Sequence, residues 1–147
     1  MMLLASKSRF PIMTIFRLLL QLVVLLGALL VHSGEAATYQ TFANNHIAFP
    51  IDPSGYCDLM MQRKGLNQVR CKPINTFIYA PPSLIIAVCQ GAGDHYQKNL
   101  FNSKRIFSVI HCRSTGRFPN CNYRGRAMIQ RVRLGCVQRM PVHFEPI

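Results

Sequence analysis

Two histidines and a lysine carry the chemistry legible in this 147-residue chain. Lys72 follows Cys71 directly and leads into Pro73-Ile74-Asn75-Thr76-Phe77, so a cation beside a cysteine shares one short segment with an amide and a hydroxyl. His46 stands four residues after Phe42, and His143 lies in Pro141-Val142-His143-Phe144. An imidazole with an ordinary pKa of ~6.5 exchanges protons near neutral pH, so one of a pair can start neutral and the other charged. An ammonium suits charge that develops between them. RNA supplies its own nucleophile, the 2′-hydroxyl, and breaking its phosphodiester asks for these functions without a metal. One group removes the hydroxyl proton, one stabilises the phosphoryl oxygens, and one protonates the departing 5′-oxygen. DNA lacks the 2′-hydroxyl and is expected to stay intact.

The elements that must hold these residues are short. Residues 39–48 place Phe42 and His46 on one helical face, where the ring anchors and the imidazole is aimed. Pro50, Pro53 and Gly55 break the chain before a second short helix around 57–63, which Gly65 ends. Residues 75–80 read as a strand, and Pro81-Pro82-Ser83 opens a third short helix over the apolar run 84–89. Beyond Gly91 and Gly93 the pattern turns to strands at 105–113, 128–134 and 142–145, with a turn at Arg117-Phe118-Pro119-Asn120. Helices early and strands late predict an α+β domain, three short helices on a bent antiparallel sheet.

Lys7, Arg9 and Arg17 precede an apolar run of 14 residues, 18–31, and small residues follow at Ser33, Gly34, Ala36 and Ala37. That is the pattern of a secretory signal peptide, 1–36, against the ~20 apolar residues of a spanning helix. The remaining 37–147 make 111 residues, enough for one domain with a modest core. Setting aside Lys7, Arg9, Arg17 and Glu35 takes the whole-chain charge from +12 to +10, with 14 basic and 4 acidic residues left. Such a field concentrates polyanions, whether nucleic acid, anionic membrane or acidic glycan, and weakens with salt. All six cysteines lie in this part, and an even number in a small exported chain reads as three disulfides. No Cys-x-x-Cys pair suggests a zinc site, and no cofactor is expected. Six cysteines permit 15 pairings, and spacing selects none.

The run Cys71-Lys72-x-x-Asn75-Thr76-Phe77, with His46 upstream and His143 seven residues after Cys136, resembles the signature of the pancreatic ribonuclease (ribonuclease A) superfamily. The likeness covers nearly all of 39–145. It implies a ribonuclease A-like fold with bridges Cys57–Cys112, Cys71–Cys121 and Cys89–Cys136. It implies His46 as general base, His143 as general acid and Lys72 as the transition-state cation. Thr76 would read a pyrimidine through its backbone and hydroxyl, and Asn75 would hold neighbouring backbone. Phe144 would pack near the site with its N–H toward the phosphate. The implied activity is a secreted, monomeric endonuclease acting on single-stranded RNA 3′ of pyrimidines, leaving a 2′,3′-cyclic phosphate and a 5′-hydroxyl. A lone histidine on an amphipathic helix is more often a packing residue than a catalyst, and it is the agreement of three separated motifs that favours catalysis here. His95 and His111 match no catalytic position and read as ordinary surface or strand residues, while His32 belongs to the signal segment.

Six cysteines and Arg63-Lys64-Gly65-Leu66 make the sequence most similar to angiogenins and small ribonucleases of non-mammalian vertebrates. Arg63 and Lys64 are read either as a nuclear-delivery element, giving uptake to nucleus or nucleolus, or as a solvated loop touching RNA phosphates. Asn45 stands where the family commonly has glutamine, so its reach toward a phosphate is shorter. Glu145 replaces the aspartate that orients the acid histidine, and a looser hold on His143 is expected. Pro146 and Ile147 offer no amide to obstruct the pyrimidine pocket, so a more open pocket than in mammalian angiogenin is expected. Two other roles compete: a cationic host-defence protein acting on bacterial membranes, and an angiogenic factor that binds cell-surface glycans or receptors and enters nuclei.

Overall fold

The computed structural model describes residues 9–32, 37–53 and 55–147. The chain divides into two compact units, 1–36 and 37–147. In the first, α1 (Arg9–His32) carries the apolar run, and among the described residues no helix is long and apolar enough to cross a membrane. The expected cleavage point after Ala36 lies outside the described residues.

The second unit is an α+β domain of short helices and antiparallel strands. Thr38 caps α2 (Tyr39–His46) by accepting the Thr41 N–H at 3.2 Å, which satisfies one of the free donors of a helix start and fixes where the turn begins. Phe42 is the buried residue of this helix. α3 (Cys57–Arg63) buries Cys57, Met60 and Met61, the i, i+3, i+4 stripe of an amphipathic helix. α4 (Pro82–Ile86) starts on a proline and passes into a single 3₁₀ turn, Ala87–Cys89, in place of one continuous helix.

Among the described residues, seven strands form two sheets. β1 (Ile74–Tyr79), β4 (Phe107–Ser114) and β5 (Tyr123–Gln130) form the first, in the order β1-β4-β5. β2 (Gly93–Gln97), β3 (Leu100–Ser103), β6 (Arg133–Val137) and β7 (Met140–Glu145) form the second, in the order β2-β3-β6-β7. Each pairing is antiparallel. The expected strand over 128–134 is thus two strands. Between them Val132 is fully buried, its N–H donating to Ser103 Oγ at 2.9 Å and its carbonyl accepting the Ser103 N–H at 2.8 Å. Those two bonds satisfy the backbone away from the first ladder and hand the chain to the second sheet.

Phe42, Ile78, Ile85, Val109, Leu134 and Phe144 belong to one buried cluster. Met61, Phe77, Ile110 and Cys112 belong to another, on the α3 side. β1 therefore buries both faces, Ile78 toward one cluster and Phe77 toward the other. Disulfides Cys57–Cys112, Cys71–Cys121 and Cys89–Cys136 tie α3 to β4, the segment before β1 to that before β5, and the 3₁₀ turn to β6.

β6 and β7 meet in a two-residue turn at Gln138 and Arg139, whose φ values are 51° and 63°. A turn with both central residues left-handed matches the twist of the strands, but non-glycine residues are disfavoured in it by roughly 1–2 kcal/mol each. The variant Gln138→Asn/Arg139→Gly is expected to be more stable by about 1 kcal/mol, read as a higher urea midpoint at unchanged slope; an unchanged or lower midpoint contradicts this account of the turn.

Candidate active site

The last residue of α2 is His46, and its Nδ1 lies 2.8 Å from the Thr76 carbonyl on β1. A carbonyl only accepts, so Nδ1 carries the hydrogen and Nε2 keeps its lone pair. Two rings confine the imidazole: Phe144 stacks on it at 5.3 Å, and Phe42, one helical turn back, lies tilted at 5.4 Å. Burial holds the His46 pKa at about 4, with the charges of Lys72 and His143 pushing the same way and the bond to Thr76 opposing them. The helix, the lysine segment and β7 thus bring the three expected groups into one electrostatic neighbourhood.

Lys72 is held from several sides. Its Nζ donates to Asn75 Oδ1 at 2.8 Å, and Asn75 in turn donates through Nδ2 to the Asn45 carbonyl at 2.8 Å. Asn75 is 2% exposed, so its amide bridges the cation to the last turn of α2 and leaves little surface for a ligand. The Lys72 carbonyl lies 2.8 Å from the Tyr123 hydroxyl on β5, and Cys71 next to it is bridged to Cys121. Burial, with Asp58 nearby, raises the Tyr123 pKa and keeps that hydroxyl protonated as a donor.

His143 sits on β7 with an exposed ring, and its Nε2 is 2.7 Å from Glu145 Oε2. The carboxylate accepts from Nε2, so Nδ1 is the nitrogen left for other partners. The longer glutamate closes this bond at ordinary hydrogen-bond length. Asn45 accepts through Oδ1 from Asn44 Nδ2 at 3.1 Å, which turns its oxygen toward its neighbour. Arg63 is exposed at the end of α3, while the Lys64 carbonyl accepts from Asn44 Nδ2 at 3.0 Å and ties that end to α2.

Thr76 is 5% exposed. Its carbonyl goes to His46, and the Ile78 carbonyl accepts the Ala48 N–H, so both residues turn their backbone polar groups away from β4. In an antiparallel strand the N–H of one residue points to the same side as its carbonyl, which puts the Thr76 N–H on the α2 side too. The opposite residue is His111, and the pair is of the non-hydrogen-bonded kind, where facing side chains approach most closely. Thr76 Oγ1 is 2.8 Å from His111 Nδ1. His111, read as an ordinary surface or strand histidine, stands on β4 with its ring against the Thr76 hydroxyl. Nothing in the local pattern marks it, because its partner lies 35 residues away and only the β1–β4 register joins them. His95 is an exposed β2 residue whose Nε2 lies 2.7 Å from the Lys98 carbonyl, at the hairpin tip.

Comparison with known proteins agrees with this architecture. The family model for pancreatic ribonuclease matches residues 37–146. The chain is 42% identical over 113 residues to a pancreatic ribonuclease of Iguana iguana, covering 73% of this chain and 95% of that one. It is 41% identical over 92 residues to an angiogenin of Mus musculus, covering 61% and 63% of the two chains. Among solved structures, green turtle egg white ribonuclease superposes with a TM-score of 0.70 at 35% identity, covering 76% of this chain and 98% of that one. The protein belongs to the pancreatic ribonuclease family and has its α+β fold. It is an enzyme of the pancreatic ribonuclease type.

The depressed pKa of His46 carries a stability consequence. The folded protein takes up this proton only near pH 4, whereas the unfolded chain takes it up at the ordinary 6.5. The contribution is therefore fully present above pH 6.5 and is lost as pH falls from there through about 4, by on the order of 3 kcal/mol. Urea unfolding between pH 7 and 4 is expected to show this slope, and His46→Gln should flatten it; an equal slope in the variant would assign the loss to other groups.

Proposed function

We propose that the domain cleaves single-stranded RNA on the 3′ side of pyrimidines by transphosphorylation, with His46 as base, His143 as acid and Lys72 as the charge-stabilising cation. The observation that carries this reading is the His46 bond to the Thr76 carbonyl, which leaves Nε2 as a lone pair in reach of Lys72 and His143 charge. His46 Nε2 takes the 2′-hydroxyl proton, the 2′-oxygen bonds to phosphorus, and the bond from phosphorus to the 5′-oxygen breaks. The leaving oxygen takes its proton from His143 Nδ1 while Glu145 holds Nε2. Lys72 Nζ, positioned by Asn75, offsets the charge that builds on the phosphoryl oxygens. The products are a 2′,3′-cyclic phosphate and a 5′-hydroxyl, and water opens the cyclic ester in a slower step.

Thr76 supplies base choice. Its N–H faces the 2-carbonyl shared by cytosine and uracil, and its hydroxyl faces N3. Phe144, buried and stacked on His46, keeps the base dry and adds its N–H near the phosphate. Asn45 supports the phosphate weakly, through its short amide. Residues 1–36 act as an export signal, and the enzyme works as a secreted monomer without metal or cofactor.

A second reading rests on exposed cations. Arg113 and Arg124 pair across β4 and β5, Arg126 stands two residues further along β5, and Arg63 is exposed on α3. Such a surface binds anionic bacterial membranes, cell-surface glycans or a nuclear import partner as readily as RNA, and an angiogenin-like or host-defence role would use it.

Purified oxidised protein at fixed salt is expected to cut cytidylyl- and uridylyl-adenosine and to leave the 2′-deoxy analogue untouched. His143→Ala should lower kcat/KM by about a hundredfold to ten-thousandfold, and Lys72→Ala by about a hundredfold to a thousandfold. Undiminished cleavage by either variant refutes the assigned roles. Bacterial killing that survives in His143→Ala assigns the membrane effect to surface charge, whereas killing lost with cleavage ties it to RNA.

A further inference from the structure

We infer that the outer edge of β5 is a docking site for an extended segment of another protein in which acidic and apolar side chains alternate. The carbonyls of Thr76 and Ile78 face away from β4, so Asn75, Phe77 and Tyr79 turn their backbone groups toward it. Their partners Cys112, Ile110 and Ser108 point back at β1, and the alternate residues of β4 point at β5. Arg124, Arg126 and Met128 meet those, which leaves the N–H and carbonyl groups of Tyr123, Gly125, Ala127 and Ile129 on the outer side. The Tyr123 N–H follows this pattern, donating to the Asp58 carboxylate outside the sheet. Among the described residues no hydrogen bond reaches the backbone of Gly125, Ala127 or Ile129, and all three residues are exposed. A strand edge in this state is a template for one more strand.

The two faces beside that edge differ in chemistry. Successive residues of a strand point to opposite faces, and partners in register share one. Arg124 and Arg126 therefore lie on one face of β5, with Arg113 and His111 of β4. Ala127 and Ile129 lie on the other, with Ile110, Ser108 and Tyr79, around a cavity of about 420 Å³. Ile129 is 70% exposed there. Asp52 also lines the cavity and disfavours an acidic side chain on that side. A strand laid along the edge presents alternate side chains to the two faces, acidic ones against the arginines and apolar ones against Ile129 and the cavity. A second copy of this chain fits poorly, because pairing the two edges over 125–129 brings each Arg126 beside its own counterpart. The docking edge uses none of His46, Lys72 or His143, so its failure and a failure of RNA cleavage are separate results.

The test uses the purified oxidised protein and a short peptide of alternating glutamate and valine, blocked at both ends. Without peptide, the amide hydrogens of Gly125, Ala127 and Ile129 are expected to exchange freely, while those of Arg126 and Met128 are held by β4. Saturating peptide should slow exchange at the three outer amides by about tenfold or more, and its affinity should fall with added salt. Ala127→Pro removes an outward N–H, a change that an edge strand tolerates, and should weaken binding about tenfold, the size of one net main-chain hydrogen bond. Arg124→Glu/Arg126→Glu should abolish binding of this peptide and create binding of its lysine–valine counterpart. The wild-type exchange pattern needs no variant, so folding of the variants does not decide the outcome. Binding that leaves the three amides unprotected overturns the inference. So does equal binding of a peptide of the same composition with its glutamates in one block. Protection that appears without peptide and grows with protein concentration also overturns it, because the edge would then belong to a second copy.

Discussion

The site depends on the hydrogen bond from His46 Nδ1 to the Thr76 carbonyl. It joins the end of an eight-residue helix to a strand, and a helix this short owes its position to such tertiary ties and to buried Phe42 more than to its own propensity. The same bond selects the tautomer, so the free nitrogen of the imidazole is set by folding. It also satisfies the carbonyl of Thr76, the residue proposed to read the base. One backbone acceptor thereby links the proposed general base to the proposed base-reading residue.

Around that bond the polar groups form a closed chain. Asn75 spends its oxygen on Lys72 and its amide nitrogen on the Asn45 backbone, and Tyr123 meets the Lys72 carbonyl. Among the described residues no buried side-chain nitrogen or oxygen lacks a partner. A satisfied network of this kind is rigid, because releasing one member strands another at a cost of about 1–3 kcal/mol. The lysine is thus presented on a scaffold, not on a free flexible stem.

Much of the proposed catalytic set is legible in the sequence because each residue is marked locally. The Phe42–His46 spacing gives one helical face, and Lys72 is fixed by adjacency to Cys71, so short-range rules suffice. The limits of α3 match the reading around 57–63, where a stripe of Cys57, Met60 and Met61 lies between Gly55 and Gly65. β2 was not read because all but one of its residues are exposed and no apolar alternation distinguishes it from loop. The break at Val132 was hidden because alternation continues through it: the partner that ends one ladder is Ser103, 29 residues earlier. His111 escaped for the same reason. Spacing along the chain says which residues share a face, whereas partnership across a sheet is decided by register.

That register has a consequence for what kind of change the molecule can absorb. β1 and β4 match over six consecutive pairs, with Phe77 and Ile78 buried on opposite faces. Side chains along β1 can be exchanged one at a time, each with a local effect. Adding or removing a single residue there would swap inside for outside along the whole strand, swinging Thr76 away from His111 while forcing its neighbours' apolar groups into the cleft. Divergence in this segment is therefore confined to spelling and closed to length.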